Sequence, residues 1–247
     1  MPARHSRRTF LAAAVAVPVA AAAVIGARGV AHADECFTWD RDLEEGMDGP
    51  DVTELQIRLA GYPEPGQVLP IDGAFGASTT AALTLFQQAY GLTADGKATS
   101  ETFEHIYSLQ DADCTPIHFT YEELNSCNSD FSGGKVDAAT AKANALVAMW
   151  KLEAMRHAMG DAELVVSSGF RSVSCNDAVG GAPDSRHLYG DGVDLTGSHS
   201  FCDLAKQAQN HGFNGILGPG FPGHDDHVHL DGRPDQYWDA PDCGVGS

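Results

Sequence analysis

Apolar residues recur at helical spacing in three short stretches of the N-terminal half, and the rhythm then changes. After Pro50, the residues Val52, Leu55 and Leu59 fall on one helical face and Gly61 breaks the run, which predicts a first helix with Pro50 in its opening turn. Ile71-Asp72-Gly73-Ala74-Phe75-Gly76 is a turn. Ser78 is placed to cap a second helix whose apolar face is Ala81, Ala82, Leu85 and Phe86. Gly91 closes that helix, Asp95-Gly96 turns the chain, and Ser100 opens a third helix carrying Phe103, Ile106 and Tyr107. From Pro116 onward the pattern is mixed. Residues 137–159 predict a long helix with Leu146, Met149 and Trp150 inward and Gly160 at its end. Residues 163–168, which carry Leu164-Val165-Val166, and the runs Gly215-Ile216-Leu217 and Val228-His229-Leu230 read as short strands, and residues 204–210 as a short helix stopped by Gly212. Helix and strand do not alternate as repeated βαβ units. The expectation is an α+β chain: a small three-helix domain, then a larger domain with helices packed on a small antiparallel sheet.

The first 33 residues stand apart from both. Arg4, Arg7 and Arg8 precede an Ala/Val-rich apolar run over residues 10–25, and Ala31-His32-Ala33 supplies the small residues of an A-x-A cleavage site. Ser6-Arg7-Arg8-Thr9-Phe10-Leu11 also reads as a twin-arginine export signal. The apolar run is short for a membrane span and no second one follows, which favours export over an N-terminal anchor. Three segments result: residues 1–33 as signal peptide, 34–111 as the helical domain and 112–247 as the larger domain.

Removing the signal leaves 11 basic against 34 acidic residues, a net charge of −23 with histidine neutral. Such a surface repels phosphate backbones and anionic headgroups, so neither nucleic acid nor membrane is an expected partner. Six cysteines remain (Cys36, Cys114, Cys127, Cys175, Cys202 and Cys243), none in a Cys-x-x-Cys pair. An even number in an exported chain points to disulfides rather than a thiolate metal site, with fifteen pairings open. A monomer is the default expectation.

The wording of the helical domain is distinctive. Asp51-Val52-x-x-Leu55-Gln56-x-x-Leu59, Asp72-Gly73-x-Phe75-Gly76-x-x-Thr79, Phe86-Gln87 and Gly91-Leu92-x-x-Asp95-Gly96 resemble the three-helix peptidoglycan-binding module of wall hydrolases. The resemblance implies targeting to the wall. The alternative is a helical packing domain or pro-segment without ligand.

Chemistry concentrates in three clusters of the larger domain: Ser168-Gly169-Phe170-Arg171-Ser172, residues 185–195 and His224-Asp225-Asp226-His227-Val228-His229. Asp194 sits between Val193 and Leu195 in an apolar strand, and a buried carboxylate is expensive unless paired or metal-bound. Gly190 and Gly192 are expected to turn the chain so that His187 and Asp194 converge. Alone, that pair could equally be a hydrogen-bonded His–Asp couple in a core. In a strand His227 and His229 share a face, and imidazole with carboxylate suits zinc, with three protein ligands leaving a fourth position open. A histidine-rich surface turn is the alternative for that cluster taken singly.

Together, Ser185-x-His187-x6-Asp194, Asp226-His227-x-His229 and Gly169-Phe170-Arg171-Ser172, with Arg171 sixteen residues before His187, resemble the M15 family of zinc D-Ala-D-Ala carboxypeptidases. The resemblance covers essentially the whole chain after the signal. It implies one zinc per chain on His187, Asp194 and His229, with peptidoglycan and its D-Ala-D-Ala stem peptides as substrate. Asp226 then matches the family's acidic base, provided the turn at 223–226 bends it toward the site. Arg171 matches the arginine that contacts substrate, at the oxyanion or at a carboxylate. His227 matches a second active-site histidine and His224 is a weaker candidate. Ser185 and Tyr189 would line the cleft or brace the ligand loop. The pairing implied for the cysteines is sequential: Cys36–Cys114, Cys127–Cys175 and Cys202–Cys243. Rival readings are a D,D-endopeptidase that opens cross-links and a wall-binding protein without catalysis. A penicillin-type serine mechanism has less support, since no Ser sits in a recognisable nucleophile elbow.

Overall fold

In a computed structural model the described residues are 36–125, 127, 130–197 and 199–246; the expected signal peptide, residues 1–33, lies outside them. Three helices come first: α1 (Pro50–Arg58), α2 (Ala77–Ala89) and α3 (Ser100–Ser108). Pro50 occupies the first turn of α1, where its missing N–H leaves no intrahelical bond unmade. The second helix begins one turn element earlier than expected. Gly76 is its cap and Ser78 lies inside it, so the buried face is Ala82, Leu83 and Phe86, with Leu85 at its edge.

Two glutamines explain why the motif residues of this module are structural. Gln56 Oε1 accepts from the backbone N–H of Asp72 and Gly73, and its Nε2 donates to Asp72 Oδ1 and Ala74 O at 3.0 Å each. Gln87 repeats the device one helix later, accepting from Gly96 N and donating to Lys97 O. Each buried amide thus satisfies the backbone of one turn, a requirement for burying it at all.

The larger domain is built around α4 (Ala138–Ala158), capped by the Asp137 carboxylate, which accepts from Thr140 N at 2.9 Å. This helix is buried on almost every side because it serves two cores. Ala141, Ala145, Met149, Leu152 and Met155 pack against the sheet, while Ala154 joins the core of the helical module. At roughly 1.5–3 kcal/mol per fully buried large side chain, its contacts form the main seam between the two layers.

Six strands form one sheet: β1 (Val165–Ser168), β2 (Gly192–Thr196), β3 (Gly215–Leu217), β4 (Val228–Asp231), β5 (Tyr237–Ala240) and β6 (Val245–Gly246), in the order β1-β2-β4-β3-β5-β6. The α+β expectation holds, but the sheet is mixed rather than wholly antiparallel, because β3 and β5 pair in parallel. The cause is topological: the chain leaves β4 on one side of β3 and crosses to form β5 on the other. Two short helices complete the domain, α5 (Val173–Ala178) and α6 (Phe201–Ala208), the latter starting three residues before the expected span.

The six cysteines form Cys36–Cys114, Cys127–Cys175 and Cys202–Cys243, the sequential pairing. Among the described residues no helix is long and apolar enough to cross a membrane.

Candidate metal centre

Antiparallel register between β2 and β4 creates the site. Asp194 lies opposite His229, and Gly192 lies opposite Asp231. Alternation along each strand then sends Val193, Leu195, Val228 and Leu230 into the core, each fully buried, and the polar residues to the other face. Over that face runs a 3-10 turn, Arg186–Tyr189, which delivers His187.

The glycines between His187 and Asp194 act differently from one another. Gly190 has φ +84°, the left-handed backbone that ends the turn, and a Cβ there would also meet Ala141 O at 2.2 Å. Gly192 does not turn the chain. A Cβ at its position would meet His187 N at 2.7 Å, so its role is to let the histidine loop lie directly on β2.

Three ligand-type atoms converge. His187 Nε2 lies 3.2 Å from Asp194 Oδ1, His229 Nδ1 lies 2.9 Å from the same oxygen, and the two ring nitrogens are 3.1 Å apart. All three residues are buried. The outer edge of each ring is fixed by an acceptor: His187 Nδ1 donates to Gly169 O at 2.6 Å, and His229 Nε2 donates to Asp231 Oδ2 at 3.0 Å. Those bonds turn His187 Nε2 and His229 Nδ1 inward, where each offers a lone pair once it is deprotonated. A carboxylate and two imidazole nitrogens facing one another are a donor set for a divalent cation. Tetrahedral zinc with ligands at about 2.0–2.1 Å would separate donor atoms by roughly 3.3 Å, close to the triangle found. The residues present therefore fit zinc.

The protonation pattern of the metal-free site points the same way. Burial lowers the pKa of both imidazoles. At His229 the bonds to Asp194 and Asp231 outweigh burial and raise it to about 9, whereas His187 remains below its ordinary value. Burial opposes ionisation of Asp194, but the His187 and His229 rings set against it hold it well below the usual carboxylate range. His229 is thus protonated at pH 7 without metal, and a divalent cation must displace that proton. Zinc addition to metal-free protein at pH 7 is expected to release about one proton, read by calorimetry in buffers of different ionisation heat.

A cleft of about 610 Å³ opens over these groups. Arg171 lines it, held by Ser168 Oγ at 2.7 Å and Asp194 Oδ2 at 2.9 Å. Ser185, His224 and His227 line it as well. His227 Nε2 lies 3.9 Å from Asp194 Oδ1, and the His224 and His227 rings are 4.6 Å apart. Two expected residues stand elsewhere. Tyr189 braces the loop, accepting from Asn144 Nδ2 at its carbonyl and stacking beneath the Arg186 guanidinium at 4.2 Å. Asp226 does not hang over the triad: its side chain is 90% exposed, and its Oδ1 accepts from His227 Nδ1 at 2.7 Å. The turn bends the carboxylate onto the neighbouring ring instead, so it reaches the site through His227.

Sequence reasoning passed over Asp231, although His229-x-Asp231 has the two-residue spacing that puts both on one face of a strand. Asp231 is fully buried between His229 Nε2 and the Arg233 guanidinium. Burial opposes its ionisation, but the bonds from Arg233 and His229 keep it charged. Asp231→Asn is expected to lower zinc affinity about 10–100-fold, measured by competition with a chromophoric chelator. Unchanged affinity would show that Asp231 supports the fold alone.

Comparison with known proteins agrees with this geometry. Residues 117–231 match the family model of peptidase M15, and residues 48–106 match that of a peptidoglycan binding domain. The zinc D-Ala-D-Ala carboxypeptidase of Streptomyces albus G is 59% identical over 233 residues, covering 94% of this chain and 91% of its own. With the metal-ligand triad, the two matched domains and this level of identity over nearly its whole length, the chain belongs to the M15 peptidases.

Proposed function

We propose that this protein is a zinc D-Ala-D-Ala carboxypeptidase that hydrolyses the terminal D-alanyl-D-alanine bond of peptidoglycan stem peptides. The convergence of His187, Asp194 and His229 beneath a cleft edged by Arg171 and His227 carries this reading. The 59% identical relative bears the corresponding name. On this reading the protein is secreted and acts as a monomer: the peptidoglycan-binding match supports an extracellular or wall-associated location, and the basic, then apolar N-terminal segment with its A-x-A site supports export.

His187, Asp194 and His229 would hold the zinc, which when bound would supply Lewis acidity to the scissile carbonyl and to the attacking water. The chain does the rest. His227 presents Nε2 to the site, because Asp226 holds its Nδ1–H, and takes the proton of the attacking water. The same nitrogen returns it to the departing D-alanine amine. Asp226 orients the ring and stabilises its charged form, so the carboxylate acts at one remove. Arg171, tethered to Ser168 and Asp194, offers its guanidinium to an anionic oxygen of the substrate. His224 and Ser185 flank the bound peptide.

A soluble peptide ending in D-Ala-D-Ala, incubated with the metal-analysed protein with and without chelator, tests this. Free D-alanine that disappears on chelation is the expected result. Cut cross-links without D-alanine from the linear peptide would move the function to an endopeptidase, and bound zinc with neither product would leave a wall-binding protein.

A further inference from the structure

The metal cleft shares a wall with a second cavity. Arg233 lines it on one side and lines a second cavity of about 460 Å³ on the other. The Arg186–Asp191 ion pair completes the partition, with Arg186 in the lining of the metal cleft and Asp191 in that of the second cavity. The far side of the second cavity belongs to the helical module: Val68, Leu69, Pro70 and Ile71, between α1 and α2. Val68 and Ile71 are 37% and 36% exposed, large apolar side chains left open to solvent.

That loop is pinned to the peptidase domain. Gly66 N donates to Gln209 O at 3.0 Å, and His211 Nδ1 donates to Gly61 O at 2.8 Å. Lys151 Nζ closes the floor on Gly212 O at 2.7 Å. The module therefore contributes a fixed wall, close to the reacting centre. Arg233 stands two hydrogen bonds behind a metal ligand, through Asp231 to His229. Asp231 takes Nε and Nη2 of Arg233, leaving Nη1 outside that pair.

We propose that the second cavity is a distal subsite for the acyl-side part of the substrate peptide, the residues N-terminal to the cut bond. The helical module and the peptidase domain then build one substrate-binding surface, with Arg233 at the threshold between its two halves. This rests on the carboxypeptidase reading, which also fixes the direction. On the leaving side such an enzyme holds one residue, so only the acyl side is long enough to reach from the metal to the module. An apolar rim of Val68 and Ile71 over the polar groups of Asn144, Asn214 and Lys151 suits a peptide, which carries side chains and backbone amides together.

Product-side peptides test the subsite without turnover. An N-acetylated dipeptide ending in D-alanine and the same peptide lengthened by three N-terminal residues are titrated into the full mature chain by calorimetry. The longer one is expected to bind at least about tenfold more tightly. Ile71→Trp, which fills the cavity from an exposed position, and Val68→Asp, which charges its rim, are each expected to reduce that gain to about twofold or less, with thermal unfolding unchanged. Equal affinity for the two peptides, or a gain that survives both substitutions, overturns the subsite. D-alanine release is measured in parallel on matched peptides ending in D-Ala-D-Ala. Length-dependent binding lost in the variants, with no D-alanine released by the unaltered chain, would keep the subsite and remove the carboxypeptidase reading.

Discussion

Asp194→Ala is expected to empty the metal centre and to reduce D-alanine release by at least about 10³-fold, since water without a metal ion has a pKa near 15.7 rather than about 7. The size of the effect follows from where the charge sits. His187 Nε2 and His229 Nδ1 are 3.1 Å apart and both point inward, and Asp194 Oδ1 is the anion that reconciles them at 3.2 and 2.9 Å. Without it, a dication would have to be held by two neutral rings in a buried place. The same carboxylate anchors Arg171 through its other oxygen, at 2.9 Å, so the substitution also frees the substrate-facing guanidinium. Metal analysis after dialysis should show less than stoichiometric zinc, and excess zinc in the assay should not restore the rate. A variant that kept both its metal and its turnover would remove Asp194 from the ligand set.

The second large effect separates two neighbouring residues. His227→Ala is expected to retain zinc and lose about 10²–10⁴-fold in kcat, the range for removing a general acid–base. Asp226→Asn is expected to lose less, on the order of tenfold, because in the proposed mechanism Asp226 meets the reaction only through the His227 ring it bonds. Its carboxyl is held below the usual range by the bond from His227, so at neutral pH it is an anion next to that ring. Comparing kcat of the two variants at equal zinc content decides the matter. If Asp226→Asn proves the more damaging, the proton passes directly to the carboxylate, and the exposed position found here changes when substrate binds.

The pattern of one chain carried the main lines of the fold a long way. Proline, glycine and apolar spacing placed α1, α3 and α4 within a residue or two, since those helices bury a clear stripe against a neighbour. The second helix was placed less well. Gly76 caps it rather than Ser78, because the extended backbone at Gly76 comes from the turn that Gln56 organises through contacts sixteen to eighteen residues along the chain. The strands β5 and β6 were not legible at all. They are short, and β5 exists only because Gly215–Leu217 offers it a parallel edge.

At the site, the ligand types and their order along the chain could be read from residue chemistry and from family resemblance: two histidines, a carboxylate in an apolar strand, and an arginine upstream. The sequence by itself determined which groups could bind a metal, because that depends on lone pairs and on strand alternation, both local properties. Only the tertiary structure decided what each group faces. The register of β2 on β4 set Asp194 against His229 and buried Asp231 behind it. The turn before β4 aimed Asp226 at His227 and away from the triad. The docking of the helical module turned a loop of apolar residues into a wall beside Arg233. These outcomes depend on pairing between segments far apart in the chain, where the free energy of one arrangement over another comes from packing and desolvation rather than from neighbouring residues.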